Sequence, residues 1–385
     1  MFGLEGFEAS RFLAETWQKR PLLIRGAFAG WTNPLEPDEL AGLACEADVQ
    51  SRLVRHPQPG KWELENGPIE PERFETLGDC PWTLLVQSVD HHVAEVAAVL
   101  EPFRFIPDWR IDDVMVSYAS DGGGVGPHFD QYDVFLIQGL GRRRWRVGER
   151  CDSSTPLLPH DGLRLLADFH PVEEWLLEPG DMLYVPPGFA HDGVAVGDDC
   201  MTYSVGFRAP SRGDLVSAFA DHLLDTLDED DRYTDPLLTD AAHPGEITAD
   251  AVTRLHDMVT GALGDRAGFT AWVGAYLTSP RDDRIDWAPE AQVTVADLMA
   301  SQAASHHFER NPACRFSFIR HAGDALTLFA DGQAYPCSGP AAEIAERICA
   351  DVRFALSSER MAHRDVSEMI VDLVNRGCLA FSDPD

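Results

Sequence analysis

The sequence predicts a mainly β domain, a double-sheet jelly roll, followed by a helical region and a small α/β tail. Three observations predict it. Between Trp109 and Phe207 short strand-like runs alternate with Gly/Pro turns, the pattern of a sandwich or barrel. After Pro210 the apolar residues change to helical spacing. The chain has 385 residues, long for a single domain.

Before Trp109 the chain is mixed. Trp17-Gln-Lys-Arg-Pro-Leu-Leu-Ile-Arg25 reads as a strand entered through a proline. Residues 37–44 read as a short helix, 82–89 as a strand and 92–100 as a helix. The β region then runs through Asp113–Tyr118, the Gly-rich loop Asp121–Gly126, His128–Gln138 and, after a Leu140-Gly141 turn, Arg142–Val147. It continues through 174–177, Met182–Val185, the turn Pro186-Pro-Gly188 and 201–207. A cupin fits this spacing. Helices are expected over 214–227, 248–263 and 270–277, with a boundary near 209. A second boundary lies near 280–292, and the tail reads helix 295–304, hairpin 315–329, helix 341–350 and helix 366–376, a winged-helix-like order.

The 64 Asp plus Glu against 31 Lys plus Arg give a formal net charge of -33. Such a field repels phosphate backbones, which argues against nucleic-acid binding, and attracts basic partners. No run approaches the ~18–20 apolar residues of a membrane span, and the N-terminus lacks the basic-then-apolar order of a secretory signal. A cytoplasmic location is therefore the expectation. The eight Cys include no C-x-x-C pair, so neither a zinc ribbon nor a thioredoxin-type motif is expected.

The chemistry centres on Gly126-Pro-His-Phe-Asp130. Residues two apart on a strand share a face, which would place His128 beside Asp130. His191 follows the strand that ends in Pro186-Pro-Gly188, a turn stiffened by its prolines. Two His and one carboxylate with open positions opposite are the facial triad of non-haem Fe(II) oxygenases. In Arg142-Arg-Arg-Trp-Arg146, Arg143 shares a face with Trp145 and points inward, where it can grip the far carboxylate of a dicarboxylate cosubstrate. Ser117 and Tyr203-Ser204 lie on neighbouring strands and can donate hydrogen bonds to such a carboxylate. The loop Gly122-Gly-Gly-Val-Gly126 leads into a strand and lacks a following Lys-Ser/Thr, so it reads as a lid or a substrate-facing loop rather than a phosphate loop.

The run Gly124–Gly148, with Trp17–Arg25, Pro107–Asp113, Pro179–His191 and Tyr203–Pro210, resembles the bacterial JmjC-type ribosomal oxygenases. The resemblance covers most of 15–210. It implies a double-stranded β-helix of JmjC type over 1–209, with its core at about 95–209. A helical dimerisation region over 210–285 and a C-terminal winged-helix-like domain over 286–385 would follow. The implied activity is that of an Fe(II)- and 2-oxoglutarate-dependent dioxygenase hydroxylating C3 of an arginine in a basic, large-subunit ribosomal protein, acting as a homodimer. His128, Asp130 and His191 match the iron ligands, Arg143 the 2-oxoglutarate anchor and Ser117 a further cosubstrate contact. Asp112, Asp113 and Asp121 are the acidic candidates for holding the substrate guanidinium. A His, Asn or methyl-lysine substrate, a non-catalytic metal-binding cupin and a winged-helix regulator with a sensor cupin are the alternatives.

Overall fold

In the computed structural model, residues 3–4, 6–58, 60–236, 238, 243–280, 287–300 and 305–382 are described. The chain divides into two compact units. One comprises Met1–Ala209, Pro280–Arg315 and Asp351–Asp385, the other Pro210–Ser279 and Phe316–Ala350.

The first unit carries the jelly roll. Its strands are β1 Leu22–Ile24, β2 Ser51–Gln58, β3 Lys61–Asn66, β4 Trp82–Val86, β5 Ile111–Ala119 and β6 Asp133–Leu140. They continue with β7 Arg143–Arg150, β8 Pro171–Leu177, β9 Met182–Val185, β10 Phe189–Ala195 and β11 Cys200–Phe207. Eight form a major sheet in the order β1-β9-β6-β11-β5-β4-β2-β3, and three form a minor sheet, β10-β7-β8. All pairings in both sheets are antiparallel.

Strand alternation gives the major sheet two distinct faces. Phe135 and Ile137, with Tyr203, Val205 and Phe207, point outward into a large core that includes Phe12 and Phe103. Phe135 is fully buried, its ring about 5 Å from those of Phe103, Tyr184 and Phe12. Val134 and Leu136 point the other way, to meet Trp145, Val147 and Leu177 of the minor sheet. With both faces covered, β6 and β11 read as nearly continuous apolar runs.

The expected strand 128–138 is broken. His128 makes an isolated bridge to His191, and the regular strand starts only at Asp133. The helix expected over 92–100 is one α-turn, Ala94–Ala97, followed by the 3-10 segment Ala98–Phe103, with Pro102 inside it. The β2–β3 hairpin was not foreseen. Neither were β12 Ser305–Arg310, β16 Arg353–Ser357 and β17 Leu379–Phe381, which form a three-stranded sheet in the first unit.

In the second unit, helices Arg212–Leu224, Ala249–Leu263 and Arg266–Thr278 begin at side-chain caps from Ser211, Thr248 and Asp265. The unit also holds the sheet of β13 Phe316–Arg320, β14 Leu326–Ala330 and β15 Gln333–Cys337, and the helix Pro340–Ala350. The helix expected over 295–304 is seen over Val295–Ala300, and 301–304 lie outside the described residues. No helix among the described residues is long and apolar enough to cross a membrane.

Candidate metal centre

His128, Asp130 and His191 come together, each offering one ligand atom, all within 4.8 Å of one another. Nε2 of His128 is 3.7 Å and Nε2 of His191 3.5 Å from Asp130 Oδ2. The backbone makes this cluster. The His128 amide donates to the His191 carbonyl (3.0 Å), and the His191 amide donates back (2.8 Å). The Gly188 amide of the Pro-Pro-Gly turn donates to the Asp130 carbonyl at 2.7 Å. A register irregularity between Phe189 and His191 sits at the same place, where such features re-aim a side chain.

The donor set suits a divalent metal. Nδ1 of His128 lies 2.8 Å from the Gly126 carbonyl, and Nδ1 of His191 lies 2.9 Å from the Phe189 carbonyl. A carbonyl can only accept, so Nδ1 carries the proton in both rings and each Nε2 presents a lone pair to the cluster. Burial, with His128 alongside, pushes His191 down to about 4, so its imidazole is neutral at physiological pH.

The cluster opens into a cavity of 590 Å³. Its wall is the inner face of the major sheet: Thr83 and Leu85, Asp113, Met115 and Ser117, Thr202 and Ser204, with Arg143 and Trp145 opposite. Arg143 is 3% exposed, with its Nε against Cys200 Sγ at 3.4 Å and its guanidinium over the Trp145 ring. Its Nη2 is buried with no hydrogen-bond partner. An unmatched, buried guanidinium donor at the inner end of the cavity fits a carboxylate ligand. Ser117 and Ser204 line the same cavity, whereas Tyr203 points into the outer core and its hydroxyl donates to Asn33 Oδ1. Gly193, paired with Trp145, leaves the indole its place, because a Cβ there would lie 2.6 Å from the ring.

The acidic candidates separate. Asp112 and Asp113 line the cavity. Asp121 is exposed and accepts from the Gly197 amide. The Gly-rich loop is pinned. Ala195 donates to the Gly123 carbonyl, and a Cβ on Gly123 or Gly124 would strike the carbonyls of Trp82 or Gly193 at 2.2 and 2.5 Å. It is therefore a close-packed connection rather than a lid, although its Val125 faces the cavity. Sequence reasoning missed Gln87, Tyr132 and Arg315 on the cavity wall. Tyr132 stands within the run Gly124–Gly148 but two positions past Asp130, Gln87 and Arg315 stand in no motif, and Arg315 is 203 positions from the Asp112 that it contacts.

A JmjC domain matches residues 98–215, and a ROXA-like winged helix matches 261–380. The chain is 46% identical over 278 residues to the ribosomal protein uL16 3-hydroxylase of Escherichia coli, covering 72% of this chain and 73% of that protein. It belongs to the JmjC-domain ribosomal oxygenases. A probable ribosomal oxygenase of Haemophilus influenzae is 41% identical over 54% of this chain and 52% of that one. The solved structure of Escherichia coli YcfD superimposes with a TM-score of 0.88 at 37% identity, covering 99% of this chain and 100% of that one. The structure of YcfD with cobalt and 2-oxoglutarate matches at 0.86 and 36% identity over the full length of both. The jelly-roll and winged-helix architecture is thus the family's. This chain is an Fe(II)- and 2-oxoglutarate-dependent protein hydroxylase.

One carboxyl at the cavity wall has a measurable consequence. Burial pushes Asp113 up to about 7 from its ordinary 3.8, with Asp90 and then Asp112 adding to the shift. Between these two pH values the unfolded chain has lost the proton and the folded chain keeps it, so stability falls as pH rises. Asp113→Asn removes that slope. The difference in melting midpoint between variant and wild type is expected to widen in the variant's favour from about pH 4 to about pH 7. A difference that does not change with pH would contradict the shift.

Proposed function

We propose that this enzyme hydroxylates C3 of an arginine in a large-subunit ribosomal protein, in the cytoplasm, with His128, Asp130 and His191 as the iron ligands. The observation that carries the reading is the convergence of the Nε2–Nε2–carboxylate cluster, the unmatched Arg143 guanidinium and an acidic wall in one cavity. The relative named for uL16 3-hydroxylation supports the substrate, and the net charge of -33 suits a basic partner.

With dioxygen, Fe(II) and 2-oxoglutarate supply the oxidation: 2-oxoglutarate becomes succinate and carbon dioxide, and one oxygen atom enters the substrate. The chain's residues bind, orient and exclude water. The two imidazoles are held in one tautomer by the Gly126 and Phe189 carbonyls. Arg143 takes the far carboxylate of 2-oxoglutarate with its free donor, and Ser117 adds a hydroxyl. Val134, Leu136 and Trp145 close that end with apolar surface.

At the opposite wall Asp113 receives the substrate guanidinium. Its Oδ2 accepts from the Ser88 amide at 2.9 Å. The Gln87 amide, oriented by its partners, donates to the same oxygen at 3.0 Å and accepts from Arg52 at 3.1 Å. Asp113 Oδ1 lies beside Gly206. Tyr132, 42% exposed at the cavity wall, offers a ring for a guanidinium to stack on.

The helix Ala249–Leu263 supports a homodimer. It buries none of its residues and exposes Val252, Leu255, Met258, Val259 and Leu263, an i, i+3, i+7 apolar stripe. A second copy of the chain is the occupant that the expected dimerisation region calls for.

The decisive test is to incubate the protein with Fe(II), 2-oxoglutarate and arginine-containing peptides of ribosomal proteins. A gain of one oxygen on an arginine, matched by succinate, is expected. No gain on any of them, with no succinate formed, overturns the reading, and a gain on a His, an Asn or a methyl-lysine redirects it. His128→Ala is expected to abolish turnover and Co(II) binding while leaving the fold intact. Arg143→Ala is expected to raise the 2-oxoglutarate requirement about 30-fold or more, from loss of a buried charge pair of ~2–5 kcal/mol. Full activity in either variant would show that residue misassigned. In solution, Val259→Glu is expected to turn a dimer into a monomer by light scattering. A wild-type monomer, or a dimer that survives the change, would remove the helix from the interface.

A further inference from the structure

Three carboxylates and two guanidiniums meet at the acidic end of the cavity with unequal assignments: Asp112, Asp113 and Arg315 line it, and the buried Asp90 and Arg208 lie next to them. Asp112 is held by both cations. Arg208 Nε lies 3.0 Å from its Oδ1, and Arg315 Nη2 lies 3.1 Å from its carbonyl oxygen and 3.4 Å from Oδ1. Asp113, the next residue, is held by neutral donors, the Ser88 amide and hydroxyl and the Gln87 amide. Asp90 accepts from the Val114 amide at 2.8 Å. Arg208 belongs to the strand end of the jelly roll, but Arg315 reaches this wall from far along the chain.

Arg315 is poorly explained as a structural ion pair. Its contact to the Asp112 carboxylate is long at 3.4 Å, its Nη1 is buried with no hydrogen-bond partner, and a desolvated guanidinium with an orphan donor is costly to hold. What holds it is the field of Asp112, Asp90 and Asp113 together. We propose that Arg315 is a substrate-positioning residue, which occupies Asp112 and so leaves Asp113 as the one carboxylate open to the substrate cation. The proposal rests on the arginine-substrate reading above and deepens it.

The direction follows from charge. The charged and titratable groups around Asp113 are Asp112 on its own strand, with Arg208 and Arg315 bound to that residue, Asp90 in the segment Val89–His91, Arg52 on β2 through Gln87, and Tyr132. With Arg315 gone, three carboxylates share one adjacent guanidinium. Asp90 and Asp113, both already pushed up to about 7, rise further and hold their protons at neutral pH. Asp112, relieved of one cation, becomes a second and misplaced acceptor. A substrate arginine then meets a neutral carboxyl where it needs an ion pair and a carboxylate where it needs none. Removing a repelling cation would by itself favour substrate binding, but that gain is lost once the carboxylate it exposes is protonated.

The test uses the full-length protein with an arginine peptide that the wild type hydroxylates. Peptide Kd is measured anaerobically with Fe(II) and 2-oxoglutarate bound, and steady-state kinetics are run across pH. Arg315→Gln is expected to raise peptide Kd and KM about tenfold or more, with kcat within about twofold and the 2-oxoglutarate KM unchanged. The acidic limb of its kcat/KM profile should move to higher pH. Arg315→Lys should restore most of the affinity. The double variant Asp112→Asn/Arg315→Gln, which removes one charge of each sign, should recover affinity relative to Arg315→Gln alone. Unchanged or tighter peptide binding by Arg315→Gln, or an unmoved acidic limb, overturns the proposal. So does a double variant no better than the single one, which also decides the matter if Arg315→Gln folds poorly. A wild type that hydroxylates no arginine peptide would instead remove the reading beneath it.

Discussion

Two main-chain hydrogen bonds, exchanged between His128 and His191, are the constraint on which the rest of the site depends. They join the end of the Gly-rich connection to the start of strand β10, and β10 in turn pairs with β7. One bridge therefore sets the spacing of the two imidazoles and the position of Arg143, which stands opposite Ala195 on that same strand pair. The Nδ1–carbonyl contacts then fix ring orientation without any other side chain. Preorganisation here is mostly backbone, and backbone pairing is stiffer than a network of side chains.

The cavity divides its chemistry by end. The minor-sheet end is apolar apart from Arg143, and the major-sheet end is acidic. This separation follows from strand alternation. Strands β5 and β11 send Val, Phe or Tyr to the outer core and Asp, Met, Ser or Thr to the cavity, so one sheet serves both as the scaffold's core and as the site's wall. Asp113 and Val114 are neighbours in sequence but face a polar cavity and a dry core respectively.

Much of this was legible in the sequence. The three clustered residues His128, Asp130 and His191 stand beside Gly/Pro turns, and Arg143 could be assigned to the inner face by alternation with Trp145. The β2–β3 hairpin was hidden because Arg52, Arg55, Glu63 and Glu65 make it look like a solvated segment, although Arg55 and Glu63 pair across its strands. The break between His128 and Asp133 left no local signal, since the bridge is made with a distant partner. Tyr203 looked like a cavity hydroxyl because periodicity gives two faces without saying which is inner. Arg315 was out of reach for a simpler reason: its role is defined by residues some 200 positions earlier, and no local pattern encodes that contact.

The unmatched Arg143 guanidinium has a thermodynamic side. A buried cation whose donors are not all engaged lowers the stability of the folded chain, and a diacid that completes it binds the folded chain alone. Folding free energy and cosubstrate supply are therefore linked quantities. When 2-oxoglutarate is plentiful the protein is harder to unfold, and when it is scarce the same chain is more exposed to proteolysis.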